Sequence, residues 1–119
     1  MRTGRRENVE PTCPFCKGTL PRPTEKRLSA TETVLSGRCN GCSALFIVDP
    51  TSRNVGEAMM QSLQLVAEEL GRDLATLVSG VDYEDEILSY DLRTHRSSGV
   101  PKSVMDGHGR LCIVKVIKK

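Results

Sequence analysis

Apolar positions in this chain gather into a few short stretches, and their spacing assigns the elements. Ala44-Leu45-Phe46-Ile47-Val48 is a continuous apolar run stopped by Asp49-Pro50, which reads as a short buried strand. Thr31 to Arg38, with Thr33, Val34 and Leu35, has the β-branched character of a second strand just before it. Over residues 56–70, Met59, Leu63, Val66 and Leu70 recur at steps of three and four, the spacing of one helix face. Met60, Leu65 and Ala67 widen that stripe, and Gly71 supplies the stop. Asp73 can cap a second short helix from Leu74 to Val78, ending at Gly80. At the far end, Arg110 to Ile117 alternates as a strand, with Cys112, Val114 and Val116 on one face.

The remaining segments are less regular. Residues 1–10 are polar and without periodicity, a disordered basic arm. Leu20-Pro21-Arg22-Pro23-Thr24 reads as loop, since two prolines in three positions break both helix and ladder. Asp82 to Glu86 reads as an acidic helix start or an exposed turn. In 87–94, Leu88, Tyr90 and Leu92 alternate as a strand does, although Leu88, Leu92 and His95 also share a helical face; the strand is preferred. Ser97 to Pro101 reads as loop and Asp106-Gly107-His108-Gly109 as a turn. The expected fold class is α+β. Residues 11–49 form an N-terminal metal module, 50–55 a linker, and 56–119 a small helical and β region.

Composition narrows the picture. The 119 residues include no tryptophan and four aromatic residues, so aliphatic side chains must do most of the packing. No apolar run approaches the roughly 20 residues of a membrane-crossing helix, and the basic start is not followed by the apolar segment of a secretory leader. A cytoplasmic address is therefore expected, where thiols stay reduced. The net charge of +2 divides unevenly, with residues 1–55 at a formal +4 and residues 56–119 at −2. That balance permits nucleic-acid contact without the dense basic patch that usually accompanies it.

Four of the five cysteines carry the clearest chemistry: Cys13-Pro14-Phe15-Cys16 and Cys39-Asn40-Gly41-Cys42. Each C-x-x-C unit sets two sulfurs on one turn, and two units supply the four thiolates of a tetrahedral ion site. Gly18 and Gly41 stand where a turn would impose positive φ. Together with Gly37-Arg38 before the second pair and Leu45-Phe46-Ile47-Val48 after it, the segment Cys13–Asp49 resembles the zinc-ribbon family. The resemblance implies Cys13, Cys16, Cys39 and Cys42 as ligands of one structural Zn²⁺ in a three-stranded β ribbon. One departure is Ser43, where ribbons commonly place glycine after the last cysteine.

Four protein sulfurs leave no open position for water or substrate, so the expected function is non-enzymatic: a zinc-binding module that docks on a protein partner, in transcription or translation machinery. Direct nucleic-acid binding is the alternative, with Arg2, Arg5 and Arg6 of the arm and Lys26, Arg27 and Arg38 of the module as the contacts. An iron-binding electron carrier is a third reading, disfavoured by the scarcity of aromatics. Dimerisation through helix 56–70 is a further expectation. His95, His108, Asp91, Asp106 and Cys112 could form a nucleophilic site on paper, but Cys112 reads better as a small buried hydrophobe.

Overall fold

The computed structural model describes residues 10–50, 55–99 and 109–117. The arm with Arg2, Arg5 and Arg6, most of the expected linker, and the turn carrying His108 lie outside the described residues. The elements run β1 (Thr24–Arg27), β2 (Thr33–Arg38), β3 (Leu45–Asp49), α1 (Val55–Leu70), a 3₁₀ turn (Leu74–Thr76), β4 (Tyr83–Asp91), β5 (Arg96–Gly99) and β6 (Gly109–Val116). All six strands join in one antiparallel sheet of order β1-β2-β3-β6-β4-β5. The protein is α+β, with one sheet and one long helix among the described residues.

The last strand occupies the centre of this sheet. β6 pairs with β3 on one side (Leu45↔Val114, Ile47↔Cys112) and with β4 on the other (Ile87↔Cys112, Leu88↔Leu111). The sheet therefore runs without interruption from the cysteine-bearing segment into residues 83–116. A strand with neighbours on both edges and layers on both faces has no solvent side, which is why Leu45–Asp49 and Gly109–Val114 are buried at every position.

Helix α1 covers one face. Ala58 and Leu65 pack with Val34, Leu45, Ile47 and Cys112, while Leu63 and Val66 meet Tyr83 and Val114. The buried stripe is centred on Ala58, Ser62, Leu65 and Val66, one step round from the expected one. Met60 (52% exposed) and Leu70 (38%) point outward, because the sheet touches a single side of the helix. Gly71, with φ +68°, ends α1. The Arg72 N–H reaches back to the Ala67 carbonyl and the Gly71 N–H to that of Glu68, closing the last turn.

Four segments differ from their sequence patterns. Residues 83–86 are strand: Glu84, Asp85 and Glu86 are the exposed half of β4, held by the β6 backbone, with Glu84 opposite Lys115. Ser97–Gly99, part of the segment read as loop, belongs to the edge strand β5. The expected helix at 74–78 is a single 3₁₀ turn, with Asp73 Oδ1 accepting from the Ala75 N–H. β1, absent from the pattern, is exposed at all four positions and exists through backbone pairing with β2. Among the described residues no helix is long and apolar enough to cross a membrane.

Candidate metal centre

The second face of the sheet is covered by the cysteine segments. Pro11 to Leu20 folds back on itself, with the Leu20 N–H bonded to the Pro11 carbonyl and a bridge between Thr12 and Thr19. The first cysteine pair lies at the tip of that excursion, and the second occupies the connection from β2 to β3. Cys13, Leu20, Cys39 and Ala44 pack with Phe46, Val48, Leu88, Tyr90, Leu111 and Ile113 in one cluster. The sulfur site thus rests directly on the hydrophobic core.

The two knuckles share one hydrogen-bond scheme. In the first, the Cys13 N–H bonds the Gly18 carbonyl and the Lys17 N–H bonds the Cys13 carbonyl. In the second, Cys39 bonds Ala44 and Ser43 bonds Cys39 in the same manner. Backbone N–H groups also point at the sulfurs: Phe15 to Cys13, Gly18 to Cys16 and Gly41 to Cys39, each at 3.4 Å. These donors stabilise thiolate charge.

Positive φ falls on Lys17 (+70°) and Ser43 (+67°), not on the glycines expected to relieve it. Gly41 has another reason to be glycine. A Cβ there would lie 2.8 Å from Cys16 Sγ, so a side chain would block the approach of the two knuckles. Ser43 stands in the left-handed region, which costs an L-residue about 1–2 kcal/mol. Ser43→Gly is therefore expected to raise the stability of the metal-loaded protein by up to about 1 kcal/mol, after the greater chain entropy of glycine is subtracted. A lower urea midpoint for this variant would contradict the strain argument.

All four sulfurs lie within 4.8 Å of one another. Cys16 and Cys39 are 3.4 Å apart and Cys13 and Cys42 3.6 Å, both pairs reaching across from one knuckle to the other. A tetrahedral ion with metal–sulfur bonds of about 2.3 Å has ligand edges of about 3.8 Å, so the donor set fits a four-thiolate ion site with small adjustment. Without a cation, four thiolates could not share this space. Burial pushes the Cys13 thiol up to about 12 and raises Cys42. Burial also acts against the Cys39 thiolate, but N–H donation from Cys42 and Gly41 and hydrogen bonds from Cys16 and Cys13 outweigh it, and Cys39 falls to about 7. Ion uptake consequently displaces protons, and acid favours release.

The other candidates are dispersed. Lys26 and Arg27 are exposed on β1. Arg38 is tied into the fold, donating to the Ser43 carbonyl at 3.0 Å and pairing with Glu69 of α1. Cys112 lies on the helix face, fully buried, its Sγ 3.8 Å from the Val55 carbonyl, and burial pushes its thiol up to about 12. His95 is on the opposite face, so the two form no nucleophilic pair. Instead, His95 Nε2 donates to the Leu20 carbonyl at 3.0 Å, which leaves Nδ1 to accept from the Tyr90 hydroxyl at 2.6 Å. This bridge, between residues 75 apart in sequence, clamps the β4–β5 turn onto the first cysteine segment. Sequence reasoning missed it, and its one visible signal was a histidine just after an alternating run. Comparison of the chain with protein-family models, with curated proteins and with solved structures finds no match.

Proposed function

We propose that the chain is a zinc-ribbon-like interaction module, in which Cys13, Cys16, Cys39 and Cys42 hold one structural Zn²⁺ and the surface so organised docks on a protein partner. The observation that carries this reading is the set of four converging protein sulfurs seated on the core. Such a set fills a tetrahedral shell with protein ligands and leaves zinc as a staple, not a Lewis acid open to substrate. Thiolate ligation suits zinc, and iron in the same ligands is the competing occupant.

A protein partner is favoured over nucleic acid by the charge around a cleft beside the sheet edge. This cleft, of about 540 Å³, opens between the β1–β2 edge and the C-terminal half of α1. Lys26 and Arg38 line it together with Glu25, Glu68 and Glu69. Three carboxylates beside two cations, one of them already paired with Glu69, repel a phosphate backbone more than they attract it.

Purified protein is expected to be colourless and to carry one zinc per chain by elemental mass spectrometry. A red, iron-loaded protein would overturn the zinc assignment. For the partner, the expected result is capture of a protein that survives nuclease and 0.5 M-scale salt washes. Tight binding of a fluorescent oligonucleotide, weakening about 10³-fold or more from 50 to 200 mM salt, would favour nucleic acid instead.

A further inference from the structure

We infer that Cys16 is an oxidation site for hydroperoxides, and that its product is a disulfide to Cys39 across the two knuckles; this rests on the zinc reading above. The four ligands are unequally accessible. Cys16 is exposed and Cys42 half-buried, whereas Cys13 (0% exposed) and Cys39 (2%) lie against the core. An oxidant arriving from solvent therefore meets Cys16 first. Metal ligation keeps that sulfur in the thiolate form, the nucleophilic one.

Cys39 Sγ, on the other knuckle, lies 3.4 Å from Cys16 Sγ. A disulfide needs about 2.0 Å, so closure asks for a shift of roughly 1.4 Å. The gap is open because residue 41 has no side chain: a Cβ there would lie 2.8 Å from Cys16 Sγ and 3.8 Å from Cys39 Sγ. Cys39 is buried while Cys16 is exposed, so the sulfur that meets the oxidant and the sulfur that resolves it are different ones.

The chemistry balances with the hydroperoxide as sole oxidant. The Cys16 thiolate attacks the peroxide oxygen, breaking the O–O bond, and becomes a sulfenic acid. The Cys39 thiolate then attacks the Cys16 sulfur, forming the S–S bond and expelling hydroxide. Two electrons pass to the peroxide, which for hydrogen peroxide becomes two waters. Two ligands are thereby lost, the ion leaves, and Cys13 and Cys42 take up two protons while two more complete the waters.

The test uses the full chain in its metal-loaded form. Ion content is first measured by elemental mass spectrometry, then hydrogen peroxide is added stepwise. Released ion is followed with a chromogenic chelator, and disulfides are mapped by alkylation and peptide mass spectrometry. One ion lost per chain, in step with a first disulfide joining Cys16 to Cys39 and with Cys112 unmodified, is the expected result. A first disulfide within either knuckle, sulfinic acid building up on Cys16 without a disulfide, or no ion release under peroxide that oxidises glutathione would each overturn the proposal. The ion assay and the disulfide map fail separately, so a wrong metal and a wrong oxidation site are told apart.

Discussion

Stripping the metal from the cysteine cluster, or replacing Cys39 with serine, is expected to unfold the whole described sheet and not the cysteine segment alone. The reason is where the cluster sits. Cys13, Leu20, Cys39 and Ala44 form the lid over Phe46, Leu88, Tyr90, Leu111 and Ile113, the inward residues of three central strands. Releasing that lid bares one face of the sheet, and the helix on the other face cannot compensate. Structural zinc in small peptides is worth about 10–16 kcal/mol at neutral pH. Whole domains of this size are stable by about 5–15 kcal/mol. The two are of one order, so metal loss removes most or all of the net stability. Amide spectra before and after chelation check this. Collapse of dispersion in Tyr83–Asp91 and Gly109–Val116 along with residues 10–44 is the expected outcome. If β4 and β6 stayed dispersed while the cysteine segment alone melted, the sheet would not depend on its lid. Binding of an apolar dye should rise at the same time.

The second large effect concerns Phe46, fully buried at the centre of the same cluster. Phe46→Ala is expected to cost about 3–5 kcal/mol, the transfer term plus the cavity left behind. Its ring also explains Gly37 on the neighbouring strand. A Cβ at residue 37 would sit 2.4 Å from Phe46 Cζ, closer than any real contact allows. Gly37→Ala should therefore cost about 1–3 kcal/mol by overpacking. The two sites are register partners, so their effects should not add. In a Phe46→Leu background the alanine has room, and its cost should largely disappear. Urea unfolding of the four metal-saturated proteins closes the cycle, and additive losses would refute the steric account of Gly37.

The clamp from His95 to Leu20 shows how the layers are joined at their margin. Its members are a half-buried histidine with φ +56°, a buried tyrosine and a backbone carbonyl. Burial raises the Tyr90 phenol above its usual range, and its hydroxyl donates to His95.

From its residues alone, the chain determined the four-sulfur donor set, the short buried strand at Ala44–Val48, a strand over Arg110–Ile117, and the helix ended by Gly71. These are legible because they rest on local causes: two sulfurs per turn, burial written as apolar runs, and a glycine free to adopt positive φ. Tertiary structure alone decided what those pieces meet. β6 enters between β3 and β4, joining segments more than 60 residues apart, and so makes one sheet of what the pattern reads as two regions. The charged β1, the acidic half of β4 and the edge strand β5 are strands because a neighbour's backbone pairs with them. Backbone hydrogen bonds carry no side-chain signature, so an exposed polar strand looks like a loop until its partner is known. In the same way an apolar run declares that it is buried but not by what. Here one face is closed by a helix and the other by the cysteine knuckles, and that arrangement turns a local metal site into a support for the whole sheet.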